Sequence, residues 1–277
     1  MTVFQPVHRY DRNSKGRDFV VGDLHGCFSM LDAALKQRSF DPTVDRLFSV
    51  GDLIDRGEES PALLDVVHRH LIKAVRGNHE QGILDWMFHE QRASDSDRVK
   101  AMRENSEEAI AEWMFHDGRT SELIYNGGQW FIELYCSDDD GARDMTQRIV
   151  RYVAALPYAI EIVAEHGLVG IVHSEVPCQH WFELTRSLDS HQTDRTMCEE
   201  VLWDRRRWKG REASTHIEGV SAVIVGHTPT HEVAQRGNVI NIDTGAVFGN
   251  KLTILDLADI PEWLSHGERP ITYGHPS

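Results

Sequence analysis

An α/β fold is predicted for this chain from three observations. Short apolar strands alternate with helical patterns through the first third, three of those strands end in glycine followed by a polar cluster, and the last third returns to short apolar runs. Phe19-Val20-Val21 is the first strand, closed by Gly22-Asp23. Leu31, Ala34 and Leu35 follow at i, i+3 and i+4, the spacing of one helix face. Residues 46–50 form the second strand, closed by Gly51-Asp52. Ser60-Pro61 reads as an N-cap followed by a first-turn proline, opening a helix that buries Leu63, Val66 and Val67. Residues 72–75 form the third strand, closed by Gly77-Asn78-His79. Each strand therefore delivers polar side chains at its C-terminal end, where α/β sheets build their sites.

The middle of the chain is less regular. Residues 92–112 are highly charged and are predicted to be a solvated helical excursion. Asp138-Asp139-Asp140-Gly141 is predicted to be a solvated acidic turn, because no EF-hand spacing follows it. Further on, residues 168–172 lead into His173 and residues 222–225 into Gly226-His227, and two apolar runs at 239–242 and 252–257 complete the set. With no internal repeat, low-complexity segment or linker, residues 1–277 are read as a single domain. Its core is expected at about 19–257 and a surface tail carrying three prolines at 258–277.

Composition excludes several classes. Lys and Arg total 29 against 44 Asp and Glu, a formal charge of -15, which argues against a nucleic-acid-coating surface and against binding to an anionic bilayer. No run approaches the ~18 apolar residues of a membrane span, and no secretory h-region is visible. The four cysteines (Cys27, Cys136, Cys178 and Cys198) lack zinc-like or CxxC spacing and are read as free thiols of a cytoplasmic protein.

The strand ends collect Asp23, His25, Asp52, Asp55, Arg56, Asn78, His79, His173 and His227. Singly, each has a plain reading: an Asp after Gly caps a turn, and a His after a strand is structural. Five strand termini carrying metal-ligand types together outweigh that reading. Carboxylate, imidazole and amide form a mixed donor set that suits a pair of Mn, Fe or Zn ions better than Ca or Mg alone. A metal pair needs a bridging carboxylate, and Asp52, on the central of the first three segments, is the natural bridge.

Gly22-Asp23-Leu24-His25-Gly26, Gly51-Asp52-Leu53-Ile54-Asp55-Arg56-Gly57 and Gly77-Asn78-His79-Glu80 match the metallophosphoesterase signature GDxHG, GDxxDRG, GNHE in order and spacing. His173 and Gly226-His227-Thr228 match its two downstream histidine motifs. From about residue 19 to 257 the chain resembles this superfamily, and within it the bacterial and bacteriophage-lambda type of serine/threonine protein phosphatase. Asn126-Gly127-Gly128, residues 201–205 and residues 241–246 extend the match. The resemblance implies a sandwich of two central β-sheets flanked by helices. It implies that Asp23 and His25 hold a first metal and that Asn78, His173 and His227 hold a second, with Asp52 between them. Manganese is the expected ion, with Fe, Zn, Ni or Mg as alternatives. His79, oriented by Asp55, would be the general acid, and Arg56 and Arg205 would clamp the phosphate for attack by a hydroxide bridging the metals.

Neighbouring residues receive plainer readings. Arg76 is expected to be a structural ion-pair partner and Glu80 a cap for the following helix. Arg206 and Arg207 are read as a solvated charge run, and His166, His180, His191 and His231 as surface or structural residues. Cys27, beside the first motif, is read as a plain thiol ahead of a redox-sensitive one. Ser174-Glu175 departs from the Ala then Gly or Asp expected after the ligand histidine, which changes its surroundings and leaves the ligand.

The expected activity is hydrolysis of phosphoserine and phosphothreonine on proteins or peptides, with phosphotyrosine and phosphohistidine as further candidates. A dinucleoside tetraphosphatase is the alternative. A non-catalytic binding module would have lost a ligand or His79, and both are kept. Phosphoproteins are favoured over dinucleotides because Phe28 is the one aromatic within three residues after the first three motifs, and bases need stacking partners.

Overall fold

Two β-sheets packed face to face, with helices outside them, make up the computed structural model, which describes residues 4–92, 118–190, 195–210 and 216–265. In the smaller sheet β2 (Asp18–Val21), β3 (Arg46–Ser49) and β4 (Lys73–Ala74) run parallel, and β10 (Ile254–Asp256) pairs antiparallel with β2. The larger sheet has the order β1 (Val7–Tyr10), β5 (Ala159–Ala164), β6 (Gly167–Val172), β7 (Ala222–Val225), β9 (Val239–Asn241), β8 (Ala234–Arg236). Its central strands β6, β7 and β9 are parallel. The predicted α/β class and two-sheet sandwich are therefore both present.

Side-chain alternation along the strands explains the layers. Val20 and Phe48 of the small sheet cluster with Ile162, Ile171 and Ile224 of the large one, forming the core between the sheets. The next residues along, Phe19, Val21 and Leu47, face the other way. They pack with Leu31 and Leu35 of α1 (Phe28–Gln37), Leu63 and Val66 of α2 (Leu63–Arg69), and Ile83 and Trp86 of α3 (Asn78–Arg92). On the outer face of the large sheet, Val172, Val223 and Val225 pack against Trp181, Leu184 and Leu188, then Val201. Those belong to α7 (Trp181–Leu188) and α8 (Arg195–Trp203).

Several expectations need correction. From 118 to 155 the middle is regular and helical: α4 (Gly118–Tyr125), α5 (Gln129–Cys136) and α6 (Asp140–Ala155) cover the small sheet's helical layer. The acidic turn is the start of α6, where Asp139 accepts a hydrogen bond from Ala142 N at 2.9 Å as an N-cap. Ser60 does not cap α2, because a 3₁₀ turn at Ser60–Ala62 intervenes and its hydroxyl donates to Gly57 O at 2.8 Å. The core passes both expected limits, since Val7 is buried in β1 and Ile260 is buried at the start of α9 (Ile260–Ser265). Of the charged excursion at 92–112, residues 93–112 lie outside the described residues, as do His191 and the tail after 265. Among the described residues no helix is long and apolar enough to cross a membrane.

Candidate active site

The parallel strands of both sheets end along one edge of the sandwich. There β2, β3 and β4 deliver Asp23 to His25, Asp52 to Arg56, and Asn78 with His79, while β6, β7 and β9 deliver His173, His227 and Asp243. The turns are sharp. Among the described residues seven non-glycine residues have positive φ, and five are His25 (43°), Asp52 (47°), Asp55 (70°), Arg56 (68°) and His227 (67°). Left-handed backbone at such residues costs on the order of 1–3 kcal/mol each and persists only where the surroundings enforce it. Here the enforcement is explicit. Leu24 N and His25 N both donate to Asp52 O (3.0 and 2.9 Å), and Gly26 N donates to Leu53 O (2.8 Å).

Glu80 reaches further than a helix cap. Its carboxylate accepts from Gly77 N at 2.8 Å, at the head of α3, and also from Asp52 N (3.0 Å) and Leu53 N (2.8 Å). Two glycines make the approach possible. A Cβ on Gly77 would lie 2.1 Å from Asp52 Oδ1, and one on Gly226 would lie 2.0 Å from Asp23 Oδ1.

The donor set has the chemistry of a cation site. His173 Nδ1 lies 2.8 Å from Val50 O, which fixes the ring proton there. Its Nε2 faces two acceptors, Asn78 Oδ1 (2.9 Å) and Asp52 Oδ2 (3.4 Å), a position that calls for a positive charge, and against the effect of burial Asp52 raises the ring's pKa. His25 repeats the pattern, with Nδ1 2.8 Å from Ile54 O and Nε2 3.5 Å from Asp52 Oδ2. His227 Nδ1 is 2.7 Å from the same Asn78 Oδ1. Two trios, His25–Asp52–His79 and Asp52–His173–His227, each hold their ligand atoms within 4.8 Å of one another, and Asp52 belongs to both. Asp23 stands beside the trios, its carboxylate accepting from His227 N (3.2 and 3.0 Å). Lone pairs facing lone pairs in a buried place fit divalent ions between them.

Electrostatics point the same way. Burial, then the charges of Asp243 and Asp52, hold the Asp23 carboxyl well above its usual range. Burial and Asp52 push Glu80 up to about 7, and burial with Asp52 raises Asp243 to about 6. Burial opposes the Asp52 carboxylate too, but His173, His79 and His25 around it hold it well below the usual range. Burial lowers His25 to about 3. Four crowded carboxylates need positive charge, and bound cations would invert this balance.

Beside the ligand set, His79 Nδ1 lies 2.8 Å from Asp55 Oδ2, and Trp130 Nε1 donates to Asp55 Oδ1 at 2.9 Å. His79 Nε2 is buried without a hydrogen-bond partner. Arg56 Nη1 is 2.6 Å from His25 Nε2, and Arg205 Nε is 2.9 Å from His227 Nε2. All ten predicted site residues thus meet in one place.

The remaining neighbours differ from expectation. Arg207 is not solvated. It is 1% exposed and pairs with Glu175, itself 2% exposed, at 2.9 Å. Arg206 is exposed and pairs with Asp204 and Glu200. Arg76 is buried, and among the described residues it donates hydrogen bonds to the neutral groups Gln81 Oε1, Tyr158 OH and Ala154 O and has no ion-pair partner. Burial, then Glu59, pushes the Cys27 thiol up, which favours the plain-thiol reading. Aromatic rings do flank the site: Arg56 lies over Phe248 (5.6 Å), and Trp203 meets His227 edge-on (6.1 Å). Both come from segments remote from the first three motifs, as does Trp130. Asp243 had a visible signal, another Asp at a strand end before glycine.

A profile of the family described as "Calcineurin-like phosphoesterase" matches residues 19–231. The chain is 35% identical over 236 residues to "Serine/threonine-protein phosphatase 1" of Salmonella typhimurium, covering 85% of this chain and 89% of that one. It is also 41% identical over 83 residues, 29% of each chain, to "Bis(5'-nucleosyl)-tetraphosphatase, symmetrical" of Pseudomonas putida. Among solved structures, a putative diadenosine tetraphosphatase superposes with a TM-score of 0.57 at 18% identity, covering 92% of this chain and 94% of that one.

Proposed function

The chain belongs to the calcineurin-like phosphoesterases, a family whose fold implies a dinuclear divalent-metal site, and from that premise we propose that it is a protein phosphatase acting on phosphoserine and phosphothreonine. The observation that carries the proposal is Asp52, shared by two buried ligand trios, one of which includes His79, whose Nε2 has no hydrogen-bond partner. The relative named as a serine/threonine-protein phosphatase, aligned over most of both chains, supports the substrate class.

In this reading Asp23, His25 and Asp52 hold one ion, and Asp52, Asn78, His173 and His227 hold the other, with manganese the best match to the mixed donors. Bound there, the ions supply an activated water and neutralise phosphate charge. Arg56 and Arg205 bind the phosphate oxygens, as planar guanidinium forks match them bidentately. His79 carries a proton at Nε2 for the departing oxygen, since a serine alkoxide leaves poorly. Asp55 Oδ2, 2.8 Å from Nδ1, fixes the ring, and Trp130 fixes Asp55. His79→Asn is expected to cost a phosphoserine peptide about 10²–10⁴-fold in kcat and p-nitrophenyl phosphate far less. Equal losses on the two would remove His79 from the acid role.

One observation favours a dinucleoside polyphosphate instead. Trp203 and Phe248 are 43% and 58% exposed beside the site, where bases could stack. The two readings part on kcat/KM under one metal condition. Phosphopeptides are expected to exceed diadenosine tetraphosphate, and a tenfold advantage for the dinucleotide, about 1.4 kcal/mol, would reverse the assignment.

A further inference from the structure

His79 lines a small cavity of about 50 Å³ whose wall includes Asp85, Glu122 and Trp203. The same three residues line an adjoining groove of about 770 Å³, walled by α3, α4 and α8. That volume falls within the roughly 300–1,000 Å³ of ligand-sized sites. The side of the centre that holds the buried, unpartnered His79 Nε2 is therefore the side that opens into the groove.

Among the described residues the groove's charge is one-sided. Arg195 is matched by Glu199 at 2.9 Å. Asp85 accepts only the neutral amide of Gln81 (2.9 Å) among the described residues, and exposed Glu122 has no partner among them. Among the described residues neither carboxylate is paired with a cation. A leaving group whose oxygen lies at His79 and that follows this opening passes both of them.

We infer that this groove receives the peptide attached to the phosphorylated residue and selects lysine or arginine beside it, discriminating against polyanionic leaving groups. The inference rests on His79 facing the leaving group, as in the function proposed above. A flanking cation gains attraction from Asp85 and Glu122, whereas the polyphosphate tail of a dinucleotide is repelled. Both carboxylates are exposed, so the selection is modest and sensitive to salt.

The test uses the metal-loaded full chain and phosphoserine peptides that differ only in Arg, Ala or Glu flanking the phosphoserine. At low salt, kcat/KM is expected to favour the Arg peptide over the Glu peptide by about tenfold, which is about 1.4 kcal/mol. In Asp85→Asn/Glu122→Gln the ratio is expected to fall within about twofold, and about 0.5 M salt should flatten it in the wild type. Hydrolysis of all three peptides at equal rates overturns the groove and leaves the phosphatase reading intact. A ratio that survives the double substitution also overturns it. Hydrolysis of diadenosine tetraphosphate with no peptide turned over sinks both.

Discussion

The floor of the site and the arm that carries Arg205 are held in opposite ways. The floor is strand-end backbone in left-handed conformations, with Asp23, Asp52, Glu80 and Asp243 crowded together and lone pairs facing one another. It is arranged for cations that the polypeptide does not itself supply. The arm, by contrast, is satisfied by its own side chains. The loop after His173 grips the end of α8, where Ser174 Oγ donates to Val201 O at 2.7 Å, and Glu175 takes Arg207 in a buried pair at 2.9 Å. Ser174-Glu175, one of the places where the sequence is expected to depart from the family it resembles, lies on the arm and not on the floor.

Four substitutions would break or sharpen this contrast. Asp52→Asn is expected to lower kcat/KM about ten-thousandfold, roughly 5 kcal/mol, and to remove both metals, as read by metal analysis of the purified protein. Retention of two ions would show that the floor does not depend on its shared carboxylate. Arg207→Met leaves Glu175 buried without its partner and is expected to cost about 3–5 kcal/mol in denaturant unfolding. That cost should be the same with divalent metal or with chelator, since the arm does not lean on the ions; a difference of half or more would tie the two regions together.

Gly226→Ala puts a methyl where Asp23 Oδ1 now lies, 2.0 Å from the ideal Cβ position. Metal affinity by titration is expected to weaken about 10–100-fold, the loss typical of disturbing groups that orient ligands. Unchanged affinity would mean that Asp23 is not a ligand. The smallest effect is expected from Glu175→Leu/Arg207→Met, which replaces the buried pair with apolar groups. Stability should stay within about 1–2 kcal/mol of the parent or rise. KM for a phosphate ester should increase as Arg205 loses its frame, with metal content retained. A parental KM would show that Arg205 is aimed by something else.

The floor was the most legible part of the molecule. Its residues lie within a few positions of glycine at strand ends, and the constraint that produces them, tight turns bringing ligands together, is written locally. The arm was not legible, because Glu175 and Arg207 are 32 residues apart and nothing in the run of three arginines marks the second as the solvated one and the third as the buried one. Strand β1 was missed for a related reason. It is four residues long and pairs Val7 with Ala159 across most of the chain. The helices at 118–155 were read as irregular because their apolar positions, such as Ile149 and Val153, are interrupted by a heavily charged surface face. Trp130, Trp203 and Phe248 reach the site only through tertiary folding, so counting aromatics near the motifs underestimated them.

The double acceptance by Asp52 O of the Leu24 and His25 amides has a consequence for local opening. Neither turn can open alone: lifting the β2 turn frees the carbonyl beneath Asp52, and lifting the β3 turn strands two amides together with that of Gly26. Glu80 extends the lock by holding the Asp52 and Leu53 amides from a third segment. In native-state hydrogen–deuterium exchange, the amides of Leu24, His25, Gly26, Asp52 and Leu53 should therefore open as one cooperative unit with a common free energy, rather than fraying one by one as loop amides usually do.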